Sequence, residues 1–326
     1  MVRLLKYTFF FISTALFLAL LMYIYIIIPH PVGKEKTVFI QKGKSLKEIS
    51  SILEKEGIIK DGNIFLIYSL LRNKPLKAGY YRFKGAYSVK DVWDILYEGR
   101  EQIYPFTIIP GEDLFDIAEK LESEGFVKKR EFLDYVLNRK NVEKSGLKGI
   151  SFEGYFPPET YFLSKNSDVE YIVKAFLKEF KKKYLPFKEQ FEKKGIAFYK
   201  GMIIASMVEK ESPVDEEKPV IAGIIIKRLK KNMPLQIDPT VIYSLKLEGR
   251  WDGKLGGDIM RFDSPYNTYI NKGLPPTPIS SFSLESLKAV LNYRETDYLY
   301  YFSPDGKRHI FSKTYREHLR KLKKYR

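Results

Sequence analysis

Apolar and polar positions follow three different rhythms along this chain, and each predicts a different kind of element. From Thr8 to Ile28 the run Thr-Phe-Phe-Phe-Ile-Ser-Thr-Ala-Leu-Phe-Leu-Ala-Leu-Leu-Met-Tyr-Ile-Tyr-Ile-Ile-Ile carries no charge. As a helix rising ~1.5 Å per residue it would cover about 30 Å, the hydrocarbon thickness of a bilayer. A cleavable leader has a shorter apolar core, roughly 7–15 residues, followed by small residues. Here the run ends in Ile-Pro-His-Pro, so an uncleaved membrane anchor is expected. Arg3 and Lys6 precede the span and Lys34 and Lys36 follow it, a weak bias. A short cytoplasmic stub with the bulk of the chain outside is the simplest topology.

The second rhythm occurs twice. Residues 38–60 and 106–128 align without a gap at an offset of 68. Val38-Phe-Ile-Gln-Lys-Gly43 is followed by Leu46, Ile49, Leu53 and Gly57, and Phe106-Thr-Ile-Ile-Pro-Gly111 by Leu114, Ile117, Leu121 and Gly125. Each copy reads as a strand, a glycine turn, a helix with apolar residues at i, i+3 and i+7, and a glycine stop. The likeness continues more loosely between Ala78-Gly-Tyr-Tyr-Arg-Phe83 and Glu153-Gly-Tyr-Phe-Pro-Pro158. Helical patterns follow around Val89–Tyr97 and Val169–Phe180. Such modules serve as a sugar-binding platform through their aromatic strands, or as plain structural duplication.

The third rhythm is the run from Gly201 to Glu211, with Ile204, Met207 and Val208 on one helical stripe and Pro213 behind it. Steps of three, four or seven from these residues land on Glu211, whereas Glu209 aligns with Met202, Ala205 and Ser206. Only Glu211 is then expected to share the buried face, about 200° around the helix from Glu209. A carboxyl at an apolar edge and a helix C-terminus has two reasons for a raised pKa, desolvation and the negative end of the dipole. It could donate a proton to a glycosidic oxygen. Ser212 could hydrogen-bond that carboxyl or a sugar. A solvated Glu-Lys-Glu helix end is the blander alternative.

Composition narrows the chemistry. The chain has 326 residues, 44% hydrophobic and 29% charged, as a folded protein does. It contains no cysteine and only three histidines, His30, His309 and His318. A disulfide framework, thiolate zinc site, cysteine nucleophile or histidine-rich metal cluster is therefore excluded, and no cofactor is expected. The formal charge of +16 includes a short basic tail, Arg320–Arg326. That balance suits polyanions in general, whether nucleic acid, anionic lipid or acidic wall polymers. The membrane span argues against nucleic acid.

Further polar and aromatic side chains cluster downstream. Leu-Gln-Ile-Asp-Pro-Thr-Val-Ile-Tyr (235–243) is a turn entering a helix. Ser-Pro-Tyr-Asn-Thr-Tyr (264–269) and Gly-Leu-Pro-Pro-Thr-Pro-Ile (273–279) are rigid loops. Gln236, Asp238, Thr240, Tyr243, Tyr266, Asn267, Thr268 and Tyr269 are, with Ser212, candidates to line an oligosaccharide groove. Tyr298–Phe302 reads as a strand and Asp305-Gly306 as a turn before His309-Ile-Phe311. That hairpin is expected to be structural, and His309 a polar strand residue.

Glu-Lys-Glu-Ser (209–212), Leu-Gln-Ile-Asp-Pro-Thr-Val-Ile-Tyr (235–243), Tyr-Asn-Thr-Tyr (266–269) and Gly-Leu-Pro-Pro (273–276), in that order behind an N-terminal anchor, resemble the endolytic murein transglycosylase family, also called YceG-like. Glu-Gly-Tyr-Phe-Pro-Pro-Glu-Thr-Tyr (153–161) looks like the same family's segment leading into its catalytic domain, and places Glu159 among the substrate-binding candidates. The resemblance implies an α+β chain: a transmembrane helix, LysM-like strand–helix modules, and a mainly helical lytic transglycosylase domain with β inserts. Its expected divisions are a stub at 1–7, an anchor at 8–28, a linker at 29–36, a LysM-like module at 37–104, a second strand–helix unit at 105–150 and a catalytic domain at 151–326. The likeness puts the catalytic glutamate on Glu211, the residue that helix phase also selects.

The implied reaction is cleavage of the MurNAc–GlcNAc β-1,4 bond in nascent glycan strands, limiting their length. Glu211 would protonate the leaving oxygen. Its anion would then deprotonate the MurNAc C6 hydroxyl, which attacks C1 and leaves a 1,6-anhydro end. One carboxylate suffices because the attacking hydroxyl belongs to the substrate, whereas most glycosidases use two. The implied partners are peptidoglycan strands, the membrane and peptidoglycan synthases. The implied location is the inner (plasma) membrane, with the catalytic domain on the extracytoplasmic side. Two other readings stay open, a muramidase hydrolysing the same bond and a non-catalytic wall-binding scaffold.

Overall fold

A computed structural model describes residues 2–100, 102–165, 167–254, 256 and 260–325. Met1 of the expected stub and Arg326 of the basic tail lie outside the described residues. The chain forms two compact units, one of residues up to Pro105 with Phe162–Lys165, the other of residues 106–161 and from 166 onwards.

In chain order the first unit contains α1 (Val2–Ile27), β1 (His30–Pro31), β2 (Lys36–Ile40), α2 (Leu46–Lys55), α3 (Gly62–Arg72), β3 (Gly79–Phe83), β4 (Ala86–Tyr87), α4 (Val89–Glu98) and the start of β5 (Gln102–Ile108). The stretch Tyr7–Ile27 of α1 has a mean hydropathy of 2.4 and is long and apolar enough to cross a membrane. Almost all of it is exposed, but at its end Ile26 is buried, and Met22 and Tyr25 pack beside the core that holds Phe65 and Trp93.

The antiparallel pair β2–β3 brackets the two helices α2 and α3, with Lys36 opposite Phe83 and Ile40 opposite Gly79. Alternation sends Val38, Ile40, Tyr81 and Phe83 inward, where they meet Leu53, Phe65 and Leu96. Capping boxes fix where two helices start, Ser45 with Glu48 for α2 and Ser88 with Asp91 for α4. Losing such a cap costs about 1 kcal/mol. β5 pairs antiparallel with β3 through Tyr80–Ile103.

The second unit continues from β5 with α5 (Leu114–Ser123), α6 (Lys129–Val136), α7 (Arg139–Lys144), β6 (Glu159–Leu163), α8 (Val169–Lys183), α9 (Lys188–Lys193) and α10 (Phe198–Glu211). It ends with α11 (Lys218–Lys230), α12 (Asp238–Leu247), α13 (Leu284–Leu291), the hairpin β7 (Tyr300–Phe302) and β8 (Ile310–Ser312), and α14 (Tyr315–Tyr325). The chain passes between the units within β5 and β6.

The repeated strand–turn–helix pattern is present in both copies. Gly43 and Gly111 turn at φ of +89° and +86°, and Gly57 and Gly125 follow the helices at +64° and +76°. These left-handed conformations suit glycine. The second copy, α5 included, belongs to the same compact unit as the residues from 166 onwards. The later likeness breaks down. Gly79–Phe83 is a strand, whereas Glu153–Pro158 is an irregular segment and its strand begins at Glu159. Gly154 sits at φ +79°, and a Cβ there would meet Pro278 at 2.6 Å, while Pro157 and Pro158 have no N–H for a ladder.

Glu153 ties this segment to the rest of the unit. It is 1% exposed and accepts the backbone N–H of Leu114 at 3.0 Å. Burial, and then the nearby Asp113, push its carboxyl up to about 8. Lys246 of α12 lies 2.6 Å from both Asp113 and Asp116. Burial raises Asp113 as well, with Asp116 adding to it.

Candidate active site

α10 runs through the middle of the second unit and is flanked by α9, α11, α12 and α13. Every residue from Gly201 to Val208 is buried, so this stretch of the helix has no solvent face to set against a core face. This corrects the expectation that only one glutamate could be buried. Glu209 has a side chain only 8% exposed. Its carboxylate accepts the Ser283 N–H at 2.8 Å, the Ser283 and Ser286 hydroxyls, and Lys218 at 3.3 Å. It holds α13 in place, so the solvated helix end is overturned too.

Glu211 closes the last turn and opens on one side onto a cavity of about 450 Å³. Gln236, Asp238, Tyr269, Tyr300, Tyr301 and His309 line that cavity, with Arg228 at its wall. Burial raises the Glu211 carboxyl to about 7. The Tyr301 hydroxyl, directed at it as a hydrogen-bond donor, pulls the other way; Asp238 raises it further and Arg228 lowers it. Such a group is protonated in a large fraction of molecules near neutral pH.

The loops around Glu211 are stitched to one another. Thr268 accepts the Gln236 N–H at its carbonyl (3.1 Å) and the Ile237 N–H at its hydroxyl (3.0 Å), and that hydroxyl lies 2.9 Å from Thr240 Oγ1. These bonds hold Gln236 at φ +56°, a left-handed conformation unusual outside glycine. The Asn267 amide donates to Met260 and Phe262 carbonyls, and its oxygen accepts the Tyr269 N–H. Tyr266 shares a 2.9 Å bond with Thr277. Ser206 on α10 accepts the Ile279 N–H at 3.0 Å, binding the proline loop to the helix. The Tyr269 hydroxyl donates to Asp238 Oδ1, which stands at the first turn of α12 ahead of Pro239.

The structure thus sorts the sequence candidates. Glu211, Gln236, Asp238 and Tyr269 share the cavity. Thr240, Tyr243, Tyr266, Asn267 and Thr268 are buried beneath it as supports, their side chains turned to the protein and not to a groove. Ser212 is also fully buried, and its hydroxyl bonds to Val214 instead of the Glu211 carboxyl. Glu159 borders a different cavity, with Thr107, Pro158 and Tyr184, and is ion-paired with Lys183, which holds it below the usual carboxylate range.

Several cavity residues escape sequence reading. Arg228, 7% exposed, donates from Nε to Leu299 O at 2.7 Å and from Nη1 to Leu235 O at 2.6 Å, and lies over the Tyr300 ring at 5.2 Å. Burial lowers its pKa. In the sequence it looks like an ordinary base in a helix's last turn. The hairpin expected to be structural supplies Tyr300, Tyr301, Phe302 and His309 to the wall. Its run of aromatics beside a lone histidine was the available signal. His309 Nδ1 lies 2.8 Å from Glu217 Oε2, so the histidine is more than a polar strand residue.

A proton-carrying carboxyl among aromatic faces can grip and protonate a sugar chain. The sequence pattern of the YceG-like family matches residues 38–324. An endolytic murein transglycosylase of Bacillus subtilis is 31% identical over 322 residues, covering 90% of this chain and 87% of that one. A protein of the same name from Streptococcus pneumoniae is 30% identical over 305 residues; the match covers 82% of this chain but 54% of the longer relative. A crystal structure of a yceG-like protein from Listeria monocytogenes superposes with a TM-score of 0.60 at 31% identity, covering 88% of this chain and 99% of that one. The chain belongs to the YceG-like family.

Proposed function

We propose that this protein is a membrane-anchored endolytic lytic transglycosylase that cleaves the MurNAc–GlcNAc β-1,4 bond of nascent peptidoglycan strands, leaves 1,6-anhydroMurNAc ends and so limits strand elongation. The names of its relatives support a peptidoglycan transglycosylase role. The observation that carries the chemistry is the Glu211 carboxyl, raised to about 7 at the floor of an aromatic cavity. Protonated Glu211 donates to the glycosidic oxygen as the C1–O bond breaks. The resulting carboxylate takes the proton of the C6 hydroxyl, whose oxygen bonds to C1 of the same sugar. Proton and electron pairs balance, and Glu211 ends as it began.

In this reading Tyr300, Tyr301 and Phe302 offer faces for pyranose rings, and Gln236 and Asp238 offer polar contacts. The β2–α2–α3–β3 module is LysM-like. α1 anchors the protein in the plasma membrane with the catalytic unit on the extracytoplasmic side, near peptidoglycan synthases. A second reading rests on Asp238. Asp238 is a second carboxylate in the cavity, and a pair of carboxylates can hydrolyse the same bond as a muramidase.

Product analysis on intact sacculi with the detergent-solubilised full chain tests both. Anhydro-muropeptides that vanish in Glu211→Gln support the transglycosylase. New reducing ends would make it a muramidase. Binding to sacculi with no release of either product would leave a wall-binding scaffold, and activity persisting in Glu211→Gln would sink the site.

A further inference from the structure

His309 and Glu217 form a buried pair that the acid mechanism does not use. Glu217 Oε2 meets the His309 ring at Nδ1 (2.8 Å) and also accepts the His309 backbone N–H at 3.1 Å. The two side chains are 6% and 11% exposed, respectively. A carboxylate only accepts, so Nδ1 carries the hydrogen; in that tautomer of the neutral ring, Nε2 is an acceptor. Nε2 has no hydrogen-bond partner in the protein among the described residues, while the ring lines the Glu211 cavity. Tyr301 connects the two groups: its hydroxyl is directed at Glu211 and its ring stands edge-on to His309 at 5.4 Å.

We propose that His309, oriented by Glu217, accepts a hydrogen bond from a hydroxyl of the sugar whose glycosidic oxygen Glu211 protonates. This rests on the peptidoglycan reading above and adds a substrate contact to it. Glu217 is the positioning residue, since it acts only by fixing the ring's tautomer and direction. A hydroxyl seated on Nε2 would fix the sugar's rotation in the cavity, so that the leaving oxygen faces the acid.

Two substitutions separate the two ends of the ring. The amide of His309→Asn reaches the Nδ1 position and keeps the bond to Glu217, but leaves nothing at Nε2. The longer His309→Gln reaches the Nε2 position and keeps an acceptor there. With the full chain in detergent, His309→Asn is expected to raise KM about tenfold and lower kcat/KM further, while His309→Gln retains most of the wild-type value. The same order is expected for binding of purified glycan oligomers by Glu211→Gln protein carrying each change, with unchanged thermal melting as the control. Wild-type behaviour of His309→Asn, or a better result for Asn than for Gln, would overturn the proposal and leave the ring a tether for the hairpin. Failure of the wild type to release anhydro or reducing ends would refute the enzymatic reading instead, and the binding comparison would still decide the hydroxyl contact.

Discussion

Glu209 Oε2 receives the backbone N–H of Ser283 at 2.8 Å and also takes the Ser286 hydroxyl at 2.6 Å, so the carboxylate sits at the N-terminus of α13. A negative charge is favoured there by the helix dipole, and Lys218 lies 3.3 Å away on the other side. Two residues further on, Glu211 faces the cavity. One glutamate of the pair fixes the helix end, and the other keeps its carboxyl open to the cavity.

Glu209→Ala should therefore cost about 2 kcal/mol of stability, since it removes the acceptor of the Ser283 N–H and of two hydroxyls, while the buried Lys218 keeps Asp215 at 2.8 Å. Thermal or denaturant unfolding measures this. A loss below about 0.5 kcal/mol would mean that the carboxylate is not needed to hold α13.

Activity should follow the protonated form of Glu211. Its carboxyl is raised to about 7 from an ordinary 4.5, so the acid form is present below that value and kcat/KM should fall as pH rises through it. Tyr301→Phe removes a donor that favours the anion. The alkaline limb of the pH–rate profile should then move to higher pH, and a move to lower pH would contradict the assignment.

A second pH effect concerns stability. Glu153 is raised to about 8 when folded, against 4.5 when free. Between these values the folded chain binds more protons than the unfolded one, so this group's contribution is complete below about 4.5 and is lost as pH rises through about 8. Denaturant melts across that window should show a decline that is flatter in Glu153→Gln. An equally steep decline in the variant would place its origin elsewhere.

Gly223 of α11 faces the backbone of Arg294 so closely that a Cβ would lie 2.0 Å from its carbonyl oxygen. Gly223→Ala must push the two segments apart and should lower stability by about 1–3 kcal/mol. An unchanged melting temperature would show that this approach is not tight.

What could be read from the sequence follows from how far each signal reaches along the chain. The glycines at 43, 57, 111 and 125 were legible because a left-handed turn is a local demand. The helix ending before Pro213 and the hairpin near Asp305-Gly306 were legible for the same reason. Helix phase named Glu211 but misjudged Glu209, because a helix packed on all sides has no polar stripe to set the phase. Tyr266, Asn267, Thr268 and Thr240 are expected from the sequence to line a groove, but they are buried and join loops to one another, a long-range role that no local pattern announces. The Glu217–His309 pair spans 92 positions, and nothing local in the chain announces it.

Arg228 gives its hydrogens to the carbonyls of Leu235 and Leu299, one just ahead of α12 and the other just ahead of the β7–β8 hairpin. Three segments made at different times during synthesis, around residues 228, 235 and 299, must meet on this one side chain. A growing chain therefore carries Glu211, the acid of the proposed mechanism, for about ninety further residues of synthesis before the hairpin's walls are made. Under that reading, the chemistry cannot begin until the hairpin arrives to enclose it.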